Sequence, residues 1–450
     1  MPEYFPLQWR SADEEPPAEV ILLRNARIFD GKSDTLPTTT SDLLIRGNMI
    51  EKVGPNLEVP QTDDTVAVVD CEGKTLMPGL IDMHSHLCIQ EGMLEGRDSF
   101  DMMAMGAMCA QDCMDYLQQG FTTVRDAGGN VLGMSKAVKD GRIPGPRIFA
   151  SGAFISQTGG HGDTGCCFDQ PGDMDRLEKN GFAHIVDGVP EVLKATRNNL
   201  RKGATQIKIM AGGGCASAFD PIHVTQLTFD EMKAACDVAK DYGTYVLCHA
   251  YHDESINRAI DAGVKCVEHG FLMSEETMER MAREGIALSI QAVMSLEVFA
   301  HAEAITFFTK SQQMKGAMVN AGAMKMMKLA KKHKPLIVSG GDMFGNAYQH
   351  RQADNIIAMH TMGGFDTATA LKSATGNAGE VLSWSTGMNP YPYGKVGVIE
   401  EGAYADVILV DGNPLEDITC LRRKNVQVVI KDGKCYKYTL GDDALKVVNK

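Results

Sequence analysis

Six residues of this chain could hold a metal ion, and each lies in or ends a run that reads as a β-strand. His84 and His86 close "LMPGLIDMHSHL" (76–87). Lys208 lies in "QIKIMAGG" (206–213), His249 in "YVLCHAY" (245–251), His269 in "CVEHG" (266–270) and Asp342 in "LIVSGGD" (336–342). Side chains alternate along a strand, so residues i and i+2 share a face. His84 and His86 can therefore grip one ion together, and imidazole suits zinc. A solitary His-x-His often means nothing. Four histidines, a lysine and an aspartate at the ends of separate strands point to a metal site.

Something must bring these residues together across almost 260 positions. Three further apolar runs, "GFTTVRDAG" (120–128), "RIFASGAFIS" (147–156) and "ALSIQAV" (287–293), bring the number of strand-like segments to eight. Segments of helical period separate them. "FDEMKAACDVAKDYG" opens after Thr228 as an N-cap and closes on Gly243. "SEETMERMAREG" does the same with Ser274 and Gly285, and its early glutamates suggest a partial capping box. Eight strands alternating with helices predict an α/β fold, a (β/α)8 TIM barrel, whose active site lies at the C-terminal ends of the strands. A doubly wound sheet would want a glycine-rich phosphate turn after its first strand; His-Ser-His stands there instead.

Short β-rich runs flank this region at 20–31, 42–54, 65–76, 405–414 and 426–438. They predict one small antiparallel unit built from both termini. The expected division is a composite β-sandwich of residues 1–75 and 390–450 around a barrel of residues 76–389.

Composition narrows the function. The net charge of −14 argues against a nucleic-acid partner. No run of 18 or more apolar residues is present, so no membrane span is expected. The start, "MPEYFPLQWRSADEEPP", lacks a basic segment followed by an apolar core. Twelve scattered cysteines without a CxxC read as reduced thiols. A cytoplasmic location is the expectation. The Met-rich stretches around 101–114 and 316–334 are expected to be adaptable packing surface.

The runs "PGLIDMHSHL", "KIMAGGG", "CHAYH", "VEHG" and "GGD", with the returning "GVIEEGAYADVILVDGNP" (397–414), resemble the amidohydrolase superfamily over nearly the whole chain. Within it they look like the branch holding Xaa-Pro dipeptidases, imidazolonepropionase-like proteins and the fungal ochratoxinase. That resemblance implies a binuclear zinc hydrolase with carboxylated Lys208 bridging two divalent ions. His84, His86, Lys208 and Asp342 would surround one ion; Lys208, His249 and His269 would surround the other. The deaminase branch lacks this lysine, so Lys208 argues against deamination. The implied reaction is attack by a metal-activated hydroxide on an amide carbonyl, with Asp342 carrying the proton to the leaving nitrogen. The implied substrate is a small-molecule amide: an N-acyl amino acid, an Xaa-Pro-type dipeptide or an ochratoxin-like amide. Opening of a cyclic amide, as in imidazolonepropionase or dihydroorotase, is the alternative, and a non-catalytic scaffold is a third. A homo-oligomer is expected.

Two further residues are candidates for catalysis or binding. Tyr251 follows His249 by two positions and could donate to an oxyanion. His161, in "QTGGHGD", could bind a substrate carboxylate. His252 is a candidate for supporting the site. Arg125 and Asp126 read as a structural pair. His184, His223, His301, His333, His350 and His360 read as surface or loop.

Overall fold

The computed structural model describes residues 20–448 apart from 62–64, 91–100, 171, 307, 344, 346–347 and 349. The N-terminal stretch "MPEYFPLQWRSADEEPP" lies outside the described residues.

The first and last described strands enter one nine-stranded sheet. Its main path runs Lys434–Tyr438, Val426–Lys431, Val407–Val410, Thr75–Pro78, Val20–Ile28, Ser41–Arg46, Met49–Gly54. Val66–Asp70 and Leu445–Val448 lie off this path. Alternate residues of these strands (Ile21, Leu23, Leu43, Ile45, Leu409, Val428, Ile430) form one apolar cluster. The sheet is mixed, not antiparallel as expected. Val20–Ile28 runs parallel to both Val66–Asp70 and Thr75–Pro78, because the hairpin Ser41–Gly54 returns the chain to its original direction.

The run 76–87 is not one strand. Thr75–Pro78 pairs with Val407–Val410 in the terminal sheet, and after Gly79 the strand Leu80–Ser85 starts a second sheet. A side chain at Gly79 would overlap Thr122 at 2.0 Å, so only glycine lets the chain pass here.

The middle of the chain carries parallel strands. Leu80–Ser85, Phe121–Asp126 and Arg147–Ala150 form a three-stranded sheet. Ala183–Ile185, Phe154–Ser156, Ile207–Met210, Val246–Ala250, Cys266–His269, Ala287–Ile290 and Ile337–Ser339 form a seven-stranded one. Most of these strands are buried along their whole length, as strands covered on both faces must be. The run 147–156 divides at Gly152, whose φ of +70° turns the chain between Arg147–Ala150 and Phe154–Ser156. The sheets meet where Asp342 N donates to His84 O at 2.7 Å and Thr205 N donates to Ala150 O at 2.8 Å. Ile81, Met83, Phe149, Leu247, Cys266, Ala287 and Val338, from both sheets, share one apolar cluster.

The helix Phe229–Asp241 has the full capping box, Thr228 with Glu231. Ser274 caps Glu275–Glu284 by accepting from Thr277 N. Its third helical position holds threonine, so the expected box does not form. The twelve cysteines are free, and all but Cys166 and Cys167 are buried. No described helix is long and apolar enough to cross a membrane.

Candidate active site

His84 and His86 sit at the C-terminal end of Leu80–Ser85, each with one ring nitrogen tied down. His84 Nδ1 lies 2.6 Å from Glu268 Oε2, and His86 Nδ1 lies 2.8 Å from Gly128 O. Acceptors on both Nδ1 atoms leave both Nε2 atoms as ligand nitrogens. Those atoms lie 3.6 and 3.5 Å from Asp342 Oδ1. The three ligand atoms are within 4.8 Å of one another. Asp342 follows two glycines after Ile337–Ser339 and has φ of +52°.

The remaining candidates continue from this trio. The His269 ring centroid is 5.0 Å from that of His84 and 4.7 Å from that of His249. Strict alternation would set Glu268 and His269 on opposite faces. His269 instead has φ of +74°, and both side chains reach His84. Left-handed backbone at a bulky residue costs about 1–3 kcal/mol and gathers at functional sites. His249 sits beside Glu268 in register, and its Nε2 lies 3.1 Å from Gly213 O. With that nitrogen donating, Nδ1 is the ligand side. Lys208 is buried one strand away, in register with Leu247. Tyr251 packs against His249 at 4.8 Å, and His161 stacks on His249 at 4.1 Å. His161 and Tyr251 thus border the four-histidine cluster.

The family model for the amidohydrolase family matches residues 75–435. The chain belongs to the amidohydrolase family. As an amidohydrolase it is a hydrolase of amide or peptide carbon–nitrogen bonds. It is 30% identical to ochratoxinase of Aspergillus niger over 465 aligned positions, covering 96% of this chain and 89% of that protein. A prolidase solved with N-methylphosphonate-L-proline superposes with a TM-score of 0.83 at 32% identity, covering 93% of this chain and all of that one. An Xaa-Pro dipeptidase with methionine bound in its active site gives 0.82 at 30%, again over 93% and 100%.

The electrostatics of the amidohydrolase site suit metal binding. Burial first, then the neighbouring Lys208 charge, holds His84 well below its ordinary pKa and brings His86 to about 4. His249 and His269 are lowered the same way, chiefly by burial. All four imidazoles are neutral at pH 7, the form that binds metal. Burial also lowers Lys208, against the opposing pull of Glu268 and Asp342. It raises Asp342 to about 7, against Lys208. The Asp342 side chain keeps 21% of its surface exposed, so water and substrate can reach it.

Glu268 is a site residue that sequence reasoning missed. Burial alone would raise its pKa; Arg125 and Lys208 outweigh that and keep it ionised. Arg125 Nη2 lies 2.6 Å from Glu268 Oε1. The expected Arg125–Asp126 pair does not form, because successive strand residues face opposite ways. Asp126 instead accepts from Leu87 N and Gly128 N. Asp82 was also missed. It accepts from His84 N, Gly341 N and the Tyr116 hydroxyl, tying the Asp342 segment to the His84 strand. Its signal was present: it precedes His84 by two positions, on the same face. His252 lies at the start of Asp253–Ala262, outside the ring contacts of the site. His184 is in the strand Ala183–Ile185 and half-buried, not on a surface loop. His301 and His350 are exposed, and His333 and His360 are engaged elsewhere, with Glu275 and Phe365 O.

Proposed function

We propose that this amidohydrolase uses two divalent ions, zinc by donor chemistry, to release the amino acid from an N-acyl amino acid or an Xaa-Pro-type dipeptide. The observation that carries this is the cluster of four buried, neutral imidazoles with Asp342, two of them pre-oriented through Nδ1. The donor set fits: His84, His86 and Asp342 would hold one ion, His249 and His269 the other, and Lys208 would bridge them as a carbamate. Burial favours the neutral Lys208 amine, which is the form that adds CO2. The two parallel sheets are read as one closed (β/α)8 barrel, supported by hydrogen bonds at both seams. Residues 80–389 would be the catalytic unit, and Thr75–Pro78 would go with 1–75 and 390–450 into the composite one.

Bound divalent ions would supply Lewis acidity at an amide carbonyl and would lower the pKa of a water enough to make hydroxide available as the nucleophile. The chain's own groups do the rest. Asp342 takes the proton of the attacking water and delivers it to the leaving nitrogen, since an amide anion is a very poor leaving group. Burial keeps the Tyr251 hydroxyl protonated, so it can donate to the developing oxyanion. His161 takes the carboxylate of the released amino acid. The names of the relatives, ochratoxinase and prolidase, support this substrate class.

A panel of Xaa-Pro dipeptides, N-acyl amino acids, ochratoxin-like aryl amides and cyclic amides, assayed with zinc-loaded protein, tests the reading. Release of a free amino acid from a linear amide is the expected result. Turnover confined to cyclic amides, or none at all, would overturn it.

A further inference from the structure

The loop 213–220, "GGCASAFD", follows the Lys208 strand and touches three of the residues just described. Gly213 O meets His249 Nε2 at 3.1 Å, and Cys215 Sγ accepts from the Tyr251 hydroxyl at 3.6 Å. Ser217 Oγ lies 2.6 Å from His161 Nδ1, with Asp220 Oδ2 3.6 Å from the same nitrogen. The His161 ring lies directly on the loop: a Cβ at Gly214 would sit 2.0 Å from Nδ1.

An irregular loop in the protein interior must satisfy its carbonyls. One buried ammonium does so here. Lys315, from the helix Lys310–His333, donates to Gly214 O at 3.0 Å, Ser217 O at 2.9 Å and Asp220 O at 2.6 Å, and lies 3.2 Å from Asp220 Oδ1. Its side chain is 7% exposed and that of Asp220 is fully buried. The other Asp220 oxygen accepts from Gly214 N at 2.7 Å. The same helix sends Gln312 Nε2 to Ala216 O at 2.6 Å.

We propose that Lys315 is a positioning residue for hydrolysis: it locks loop 213–220 and, through Asp220 and Ser217, fixes the ring of His161 in the site. The proposal rests on the reading of His161 given above. Ser217 Oγ and Asp220 Oδ2 both face Nδ1 of His161, so the loop holds that edge of the ring and leaves Nε2 toward the site. Without the ammonium, three carbonyls lose their donor, Asp220 loses its counter-ion, and the shelf under His161 loosens. Small displacements of a positioned group cost rate out of proportion to their size.

The test pairs a reactivity measurement with kinetics on zinc-loaded protein. Diethyl pyrocarbonate modification is followed at each histidine by peptide mass spectrometry in wild type, Lys315→Met and the milder Lys315→Gln. The expected result is modification of His161 accelerated about fivefold or more, with His333 and His360 unchanged. Lys315→Met should also lower kcat/KM by about tenfold, and that penalty should shrink to within about twofold in a His161→Gln background, as residues acting in series are non-additive. Lys315→Gln should move both readouts the same way and serves alone if the methionine variant does not fold. An unchanged His161 rate, or a penalty that persists in full without His161, would overturn the proposal. The modification rate is read without turnover. A wild type that hydrolyses no amide would sink the functional reading, while the modification rate would still decide whether Lys315 holds the His161 ring.

Discussion

Glu268 combines two contacts: one oxygen lies on Arg125, the other on His84 Nδ1. A carboxylate behind a ligating imidazole fixes its tautomer and raises its basicity. Glu268→Gln should therefore weaken metal affinity by about 10–100-fold, read by competition with a chromophoric chelator. Asp342→Asn tests a different role. The isosteric amide cannot carry a proton, so kcat should fall by about 10²–10⁴-fold. That deficit should shrink as the leaving amine of the substrate becomes more acidic; a constant deficit across the series would remove the proton-transfer role. At this scale the sequence was a good guide to residues of metal-binding type at strand ends. It was a poor guide to Glu268. Period-two alternation assigns Glu268 to the face opposite His269, and only the left-handed backbone at His269 brings both inward. Arg125 escaped the sequence for the complementary reason: its partner Glu268 stands on a strand of the other parallel sheet, not next to it in sequence.

At the scale of elements, the seam between Ile337–Ser339 and Leu80–Ser85 decides whether the trio forms. Gly340 lies against that seam: a Cβ there would sit 2.5 Å from His84 Cβ, 2.8 Å from Ser289 Oγ and 2.9 Å from His84 N. Gly340→Ala should cost about 1–3 kcal/mol of stability by overpacking. It should lower metal affinity with it, because His84 is what must move. Thermal unfolding and chelator competition on the same preparation check this; a stability loss with metal affinity intact would separate the seam from the site. The alternation of apolar runs and helical segments was legible because strands buried on both faces read as unbroken apolar stretches. Their ends were less so. The divisions at Gly79 and Gly152 are set by one close approach and one left-handed turn, and neither alters the local hydrophobic pattern. The parallel pairing of Val20–Ile28 was hidden too, since strand direction is decided by the intervening hairpin.

At the scale of the molecule, Arg147 joins the parallel sheets to the terminal unit. Its guanidinium, 2% exposed, bonds both Asp406 oxygens and Asp432 Oδ1, and lies 3.9 Å over the Tyr404 ring. Breaking a buried pair on one side costs about 3–5 kcal/mol, so Arg147→Met should unfold at lower urea with turnover of the folded enzyme nearly unchanged. Burial would raise Asp432, but Arg147 outweighs it and lowers its pKa. A group lowered in the folded state contributes stability above its ordinary pKa of 3.8 and loses it as pH falls. The wild type should therefore lose part of its advantage over Arg147→Met in acid. The proposed two-ion hydrolytic centre draws its six residues from the ends of five strands, His84 and His86 sharing one. Titrating metal-free protein with zinc in bicarbonate buffer, while following both bound metal and hydrolysis of the best linear amide, tests it most directly. Activity should rise until two ions are bound per chain, and a Lys208→Ala variant should bind one fewer and lose most of its turnover. Full activity at a single ion, or a Lys208→Ala variant with wild-type metal content and rate, would contradict it.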